Sequence, residues 1–239
     1  GQSVFTRDWW RPMVMARNAS EAVATASFIT ALSILPLSTV SAILQANPLI
    51  VTMGAALFLG EAVGWRRWAA IAVGFCGMLL ILRPTTEGLD TGALLAVLAM
   101  ILLAVRDLTT RAMPKQLSSL VLAAYAFATL ILTGGIMMLF HAPVVPTPPE
   151  AGLMGLAIVS GAGAYYCITA AMRVGEAGAV TPLRYTRLVF GMLIGILLFG
   201  ERPDATTYVG AAVIIAAGLY TFARERKRRD AATLSEMPK

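Results

Sequence analysis

Apolar residues along the chain form eight runs, separated by short polar segments. Most of the runs are close to the ~20 residues that an α-helix needs to cross ~30 Å of hydrocarbon at about 1.5 Å per residue. The pattern therefore predicts an all-α polytopic membrane protein with about eight transmembrane helices. The predicted spans are 19–35, 39–60, 66–82, 91–106, 118–140, 152–172, 179–200 and 206–223.

The composition agrees with this pattern. The chain has 239 residues, of which 58% are apolar and 13% are charged, and its mean hydropathy is +0.75. An ordinary soluble domain has about 25% charged residues. The composition thus excludes a soluble domain, and the short interruptions leave no room for a separate catalytic domain.

One pattern occurs twice along the chain, with an offset of 140 residues. Ala42–Glu61 is an apolar run that ends in Leu-Gly-Glu, and Pro182–Glu201 is one that ends in Phe-Gly-Glu. In both copies a polar loop, an aromatic residue and another apolar run follow. Such duplication is common in secondary transporters, which build a central binding site between two repeats.

The repeat divides the chain into two units. The first unit, residues 1–90, has three predicted spans, and the second, residues 91–223, has five. We expect two spans to be missing from the first unit, because Gly1–Asn18 is typical of a loop between a second and a third span. Residues 224–239 form a basic tail.

Basic residues predict the orientation. When the loops are assigned alternately to two sides, one side receives most of the Lys and Arg residues, and the other receives only Arg83 and Arg202. The positive-inside rule places the first side, with the C-terminal tail, in the cytoplasm. The loops after Glu61 and Glu201 then lie on opposite sides, so the units are inverted. The net charge of +6 follows from topology and does not indicate nucleic-acid binding.

Two stretches resemble the EamA-type halves of the drug/metabolite transporter superfamily. They are LSILPLSTVSAILQANPLIVTMGAALFLGEAVGWRRWAAIAVGFCGMLLILRP and GAVTPLRYTRLVFGMLIGILLFGERPDATTYVGAAVIIAAGLYTFARER. The resemblance rests on the two Gly-Glu junctions, on Pro48 and Pro182, and on the glycine-rich helix that follows. It implies a ten-span carrier of the bacterial inner membrane that works by alternating access. Members carry amino acids, nucleotide-like cofactors, vitamins or drugs.

The expected function is secondary transport of a small organic metabolite, in the direction of export. A non-transporting scaffold, a subunit or a fragment of a carrier is the alternative, and an intramembrane enzyme is less favoured. No Ser/His, paired-Asp or metal constellation and no G-x-x-x-x-G-K-[ST] motif is visible. One histidine and two cysteines support neither a metal site nor a disulfide framework, and no cofactor is expected.

Polar residues at membrane depth are the candidate substrate ligands, because charges there are costly unless they are paired or line a cavity. Arg184 and Arg187 lie three residues apart on one helical face, and either guanidinium suits a carboxylate or phosphate. The alternative is a structural ion pair. The 140-residue offset superposes Gln45 on Tyr185 and Asn47 on Arg187, which predicts one polar patch across a pseudo-twofold axis.

Two tyrosines are further candidates for the substrate site, and two prolines are candidates for a hinge. Tyr165 and Tyr166 are central in their span, so one of the two rings could form the wall of a cavity. Pro48 and Pro182 each remove a backbone N–H, which predicts either a hinge or ordinary helix packing.

Acidic residues near the span ends are predicted to be mainly structural. Glu61 and Glu201 follow a glycine, where they could cap or position the next helix. We expect Glu21 and Asp107 to be solvated boundary charges, with proton coupling or pairing to arginine as the alternative.

A Gly-x-x-x-Gly motif at Gly191 and Gly195 predicts close helix approach, either inside the chain or in a homodimer.

Overall fold

The computed structural model describes residues 7–83, 90–113, 119–140, 145–174 and 185–236, and almost all of them are helical. A 3-10 turn at Arg7–Trp10 precedes the first α-helix. Helices occur at every predicted span, and no strand is found in the described ranges. The α-helices are α1 Pro12–Ile34, α2 Leu37–Leu44, α3 Asn47–Phe58, α4 Trp65–Leu82, α5 Thr91–Ala112, α6 Ser119–Leu139, α7 Pro148–Val174, α8 Thr186–Phe199 and α9 Ala205–Glu236.

Five helical segments of the described chain are long and apolar enough to cross a membrane, and the shorter α8 is also apolar. Large apolar side chains such as Ile131, Leu139 and Leu197 are exposed on the helix surfaces, as expected for groups that face lipid. The prediction of an all-α membrane protein is confirmed. The five segments are Leu37–Phe58, Trp65–Leu82, Thr91–Ala112, Val121–Leu139 and Ala205–Arg224.

The predicted span 39–60 is not one continuous helix. It is divided into α2 and α3 by two turn residues, Gln45 and Ala46. Pro48 has no N–H, so the Leu44 carbonyl cannot receive the usual helical hydrogen bond from it. The last bonds of α2 are instead tighter i→i−3 bonds: Gln45 N–H donates to Ala42 O at 3.2 Å, and Ala46 N–H donates to Ile43 O at 3.1 Å.

The two Gly-Glu junctions have the same backbone geometry. Gly60 and Gly200 are left-handed, with φ of 68° and 64°, a conformation that glycine adopts without a steric penalty. In each junction the glutamate N–H donates to the carbonyl six residues earlier, at 3.1 Å for Glu61 and 3.0 Å for Glu201. The bond spans one residue more than the 6→1 bond of a Schellman motif, and like it ends a helix at a left-handed glycine and turns the chain.

The helices that follow the two junctions pack against each other in opposite directions. A Cβ on Gly77 of α4 would lie 2.9 Å from the carbonyl oxygen of Gly210 on α9, and Gly74 faces Ala217. Residue numbers thus fall along α9 as they rise along α4, so the two helices are antiparallel. Because α4 and α9 are equivalent elements of the repeat, their opposite direction confirms the inverted arrangement.

The core lies around the helix break. Val40 and Ile43 of α2 are fully buried, and they cluster with residues of the neighbouring helices such as Ile71 of α4, Met100 of α5 and Ile214 of α9. The broken helix therefore lies at the centre of the packed bundle. Its two turn residues and the start of α3 are surrounded by protein.

Candidate functional site

Asn47, the first residue of α3, begins a buried polar site. It lies ten residues after Leu37, which corresponds to about 15 Å of helical rise and hence to the middle of a ~30 Å membrane. Its side chain is buried, and its Nδ2 donates to Oδ2 of Asp107 on α5 at 3.3 Å. The interrupted helix thus presents an amide to a carboxylate in the interior of the bundle.

Asp107 continues into a pair of charged contacts. Arg106 donates to Asp107 Oδ1 from Nε at 3.0 Å and from Nη2 at 2.8 Å. Its Nη1 donates to Oε1 of Glu21 on α1 at 2.9 Å. One guanidinium therefore joins two carboxylates and connects α5 to α1.

Arg17, also on α1, holds the other side of Glu21. Its Nη2 lies 3.2 Å from Glu21 Oε2, one helical turn away, and its Nη1 donates to Asn18 Oδ1 at 2.9 Å. Its Nε donates to Thr110 Oγ1 on α5 at 3.1 Å. We call Arg17, Asn18, Glu21, Asn47, Arg106 and Asp107 the polar network.

The polar network is balanced in charge. It contains two arginines and two carboxylates, and Arg17 and Glu21 are only 3% and 4% exposed. Buried ions persist when each has a partner of opposite charge and hydrogen bonds to its remaining polar atoms. The interpretation of Glu21 as a solvated boundary charge is therefore wrong, and its alternative, pairing with arginine, is what the structure shows.

Three atoms of the polar network are buried without a hydrogen bond. They are Asn18 Nδ2, Asn47 Oδ1 and Glu21 Oε2; the last has the Arg17 charge nearby but lacks hydrogen-bond geometry. An unsatisfied buried polar atom costs roughly 1 to 3 kcal/mol, and most buried polar atoms in proteins have a partner. The three atoms offer one donor and two acceptors to a polar molecule that enters the site.

Glu201 connects the second unit to the start of the broken helix. Its Oε1 accepts from the N–H of Leu37 at 2.6 Å, and its Oε2 accepts from the N–H of Ser38 at 2.9 Å. The carboxylate thus caps α2, not the next helix in the chain. Burial acts to raise the pKa of Glu201, but the hydrogen bonds from Ser38 and Leu37 outweigh it and hold the pKa below its usual value.

Comparison with known proteins identifies the family of this chain. The model of the EamA-like transporter family matches residues 5–83 and 90–223. The chain belongs to the EamA-like transporter family. It is a multi-pass membrane transporter, since its helices are also long and apolar enough to span the bilayer.

Several curated relatives of this EamA-like transporter have names. A riboflavin transporter of Rhizobium johnstonii is 32% identical over 219 residues, which cover 92% of this chain and 72% of the relative. An S-adenosylmethionine uptake transporter of Rickettsia prowazekii is 29% identical over 202 residues, covering 84% and 68% of the two chains. A riboflavin transporter of Vibrio cholerae is 31% identical over 177 residues, covering 73% and 58%.

A solved crystal structure has the same fold as this EamA-like transporter. Its TM-score is 0.61 at 20% sequence identity, and the match covers 90% of this chain and 78% of the other. The family and the names of the relatives point to transport and not to catalysis. Among the residues that the structure describes, no group of three His, Cys, Asp or Glu could hold a metal ion.

The residues predicted to bind substrate are distributed differently in the structure. Gln45 and Tyr185 are buried like Asn47, and the Tyr185 ring and hydroxyl pack against Gly218 of α9. Arg187 is exposed on α8. Asn47 is the first residue of α3 and Arg187 is the second residue of α8, and the two side chains differ in burial; their joint polar patch stays a prediction.

Other predicted residues lie outside the described part of the chain. Arg184 and Pro182 belong to the segment 175–184, which the structure does not describe. Tyr165 and Tyr166 fall within α7, but their side chains are not among those described. Pro48 adjoins the break between α2 and α3.

Three residues of the polar network were not predicted from the sequence. Arg17 and Arg106 were counted as cytoplasmic basic residues in the orientation argument, and Asn18 was assigned to the N-terminal loop. Two signals pointed to their pairing: Arg17 and Glu21 are spaced i, i+4, and Arg106 is adjacent to Asp107.

The Gly-x-x-x-Gly motif is used inside the chain. A Cβ on Gly191 would lie 2.7 Å from Ser41 Oγ, and one on Gly195 would lie 3.5 Å from the Ser38 nitrogen. The two glycines therefore let α8 approach α2 closely, which agrees with the internal-contact interpretation. This helix face is occupied by α2, so it is not an open surface for a homodimer.

Proposed function

We propose that this protein carries a small organic metabolite across the bacterial cytoplasmic membrane by alternating access, and that the polar network forms its substrate site. The observation that carries the proposal is the set of unsatisfied buried atoms on Asn18, Asn47 and Glu21. Asn47 adjoins the helix break, and contacts of Asp107, Arg106 and Arg17 connect it to Glu21 and Asn18, in a member of a transporter family. Buried polar atoms at such a position are typical of substrate pathways.

We propose that the direction is uptake. The sequence-based expectation of an exporter has no support, whereas relatives of this chain are named as S-adenosylmethionine uptake transporters. The substrate that we propose resembles riboflavin or S-adenosylmethionine in chemistry. Both molecules contain a heteroaromatic ring system with several hydrogen-bond donors and acceptors.

The polar network fits such a substrate in two respects. Its charges cancel, so the site suits a neutral or internally compensated molecule better than a strongly charged anion. The Asn18 Nδ2 donor and the Asn47 Oδ1 acceptor could bind an amide-like edge of a heteroaromatic ring, which carries both types of group. Buried Tyr185 and Gln45 are second candidates for contact with the ring, and Arg187 is a candidate where the pathway meets the surface of α8.

Alternating access would use the inverted units. The helix break at Gln45 and Ala46 lets α2 and α3 tilt separately, and Glu201 ties α2 to the second unit. A shift of one unit against the other would therefore move α2 relative to the polar network. We propose units at 1–90 and 91–223, with the tail at 224–239 in the cytoplasm, where the basic residues favour it.

The test is uptake of labelled riboflavin and labelled S-adenosylmethionine by proteoliposomes that contain the protein, its Asn47→Ala variant or its Asn18→Ala variant. We expect saturable uptake of at least one substrate, with KM raised about fivefold or more in both variants, since each hydrogen bond contributes about 1 kcal/mol or more. Thr133→Ala is the matched control, because the Thr133 hydroxyl only donates to Thr129 O of its own helix.

Two results would contradict the proposal. Uptake by both asparagine variants that matches the original protein, at equal reconstitution, would remove the polar network from the substrate site. Absence of uptake of both substrates, by protein with an intact thermal transition, would exclude this substrate class.

A further inference from the structure

A cavity lined by arginines lies at one end of the α4–α9 pair. It has a volume of about 190 Å³ and is bounded by Gly64, Trp65, Arg66 and Arg67 at the start of α4, and by Arg224 on α9. Because α4 and α9 are antiparallel, the start of α4 lies beside the end of the apolar part of α9, Ala205–Arg224. The cavity shares no lining residue with the polar network.

Arginines make up most of the lining of this cavity. Three of its five lining residues are arginines, and none of the lining residues in the described chain is acidic. Glu225 directly follows Arg224 in the chain, and Glu61, three residues before Gly64, forms an ion pair with Arg111 at 2.6 Å. Arg67 is only 6% exposed, so one of the three cations is held inside the protein wall beside the cavity.

The surroundings of the cavity are those of a membrane surface. Trp65 is 73% exposed, and the Arg66 guanidinium carbon lies 5.4 Å from the centre of its ring. Tryptophan is enriched at the level of lipid headgroups. Trp65 is also the first residue of a membrane-spanning helix, and Arg224 is the last residue of another.

We infer that this cavity binds the phosphate group of an anionic membrane phospholipid. The guanidinium groups of Arg66 and Arg224 would hold the phosphate oxygens, for which the planar fork of arginine is well suited. Trp65 would lie against the glycerol and upper acyl region. A lipid bound here bridges the equivalent helices of the two inverted units at the end where they separate.

The test compares lipids added to the detergent-purified protein, with thermal unfolding followed by circular dichroism. Phosphatidylglycerol is titrated against phosphatidylcholine, which has no net charge, and against inorganic phosphate. The variants are Arg66→Gln and Arg224→Gln, which leave buried Arg67 in place. The matched control is Arg202→Gln, the same change at an exposed arginine in the loop before α9, at the opposite end of the pair.

We expect phosphatidylglycerol to raise the unfolding temperature in a saturable way, and phosphatidylcholine and inorganic phosphate to have no such effect. Each of the two variants should raise the half-saturating concentration of phosphatidylglycerol about fivefold. This is the amount expected for the loss of one arginine at an anionic membrane surface. Arg202→Gln should behave like the original protein.

Three results would overturn the inference. Equal stabilisation by inorganic phosphate would mean that the cavity takes a soluble anion. Unchanged lipid response in both Arg66→Gln and Arg224→Gln would remove these residues from the site. An equal loss in Arg202→Gln would show a general effect of surface charge. A normal thermal transition without lipid establishes that a variant folds. If Arg66→Gln does not fold, Arg66→Lys replaces it, because lysine keeps the charge but lacks the planar guanidinium group.

Discussion

The carboxylate of Glu201 accepts a 2.6 Å hydrogen bond from the backbone N–H of Leu37, which is 164 residues away in the chain. Leu37 is the first residue of α2, where the N–H groups have no partner within the helix. Pro36, the residue before it, supplies no side-chain cap. A negative group at this position is also favoured by the helix dipole. The second unit thus provides the cap of the central broken helix.

The cap predicts the effect of replacing Glu201. Glu201→Ala should lower the free energy of unfolding by roughly 1 to 2 kcal/mol, the upper part of the range for loss of a helix cap. The measurement is thermal or chemical unfolding in detergent. Glu61→Ala is the matched control, because the side chain of Glu61 is one-third exposed and makes a surface ion pair with Arg111, a contact usually worth less than about 1 kcal/mol. An equal or larger loss for Glu61→Ala would contradict this account of the cap.

The same contact predicts a pH dependence. The pKa of Glu201 is lowered from its ordinary value of 4.5, so the folded state binds this proton less readily than the unfolded state does. The stabilisation by the cap is therefore complete above about pH 4.5 and is lost as the pH falls through the folded-state pKa. Unfolding curves measured from pH 7 downward should show this acid limb.

Glu201→Gln separates this residue from the other acids of the protein. Its stability at neutral pH should be lower, and its decline below pH 4.5 should be shallower than in the original protein. Asp204 also has a lowered pKa, chiefly from hydrogen bonds donated by Thr207, so Asp204→Asn is the comparison. If the acid limb of Glu201→Gln has the full original slope, the pH dependence arises elsewhere.

The polar network predicts coupling between Arg17 and Glu21. Removing one partner of a buried ion pair costs about 3 to 5 kcal/mol, because the other charge remains buried. Arg17→Gln and Glu21→Gln should each be strongly destabilised. The double variant restores the charge balance, so its loss should be smaller than the sum of the two single losses by about 1 kcal/mol or more.

The measurement for this pair is a double-mutant cycle on unfolding free energies in detergent. Thr30→Ala on the same helix is the control, because its hydroxyl is exposed and donates only to Ala26 O. Strict additivity of the Arg17 and Glu21 changes would mean that the two side chains do not interact in the folded protein.

The positions of the helices were predictable because membrane spans are set by local composition. A run of about 20 apolar residues has few other stable states in lipid. The repeat offset is also found in backbone detail that was not predicted: Gly60 and Gly200 have nearly equal positive φ values, and α4 and α9 begin 140 residues apart, at Trp65 and Ala205. These features depend on short segments of sequence.

The partners of the charged residues were not predictable in the same way. Glu201 was expected to act on the helix that follows it, but it caps α2, and Glu21 was assigned to the boundary although it is buried. Both outcomes depend on which helices pack together, and this information is not contained in the hydropathy of one segment. The break in the span 39–60 was predictable only in part. Pro48 indicated its position, but the turn at Gln45 and Ala46 was not predicted.

The crossing of α4 and α9 gives a final prediction about the inverted units. A Cβ added to Gly210 would lie 2.5 Å from the carbonyl oxygen of Gly77, so Gly210→Ala should force the two helices apart. The expected loss is about 1 to 3 kcal/mol, as for other overpacked sites. On α6, a Cβ on Gly134 would meet nothing within 4 Å in the described residues. Gly134→Ala should therefore be neutral or stabilising by up to about 1 kcal/mol.

Unfolding of Gly210→Ala and Gly134→Ala in detergent measures this difference, since both changes add the same methyl group to a helix. Transport should follow the same order, because α4 and α9 are equivalent helices whose contact lies on the axis between the units. If Gly210→Ala is as stable as Gly134→Ala, the close approach of the two helices is not what holds the inverted units together.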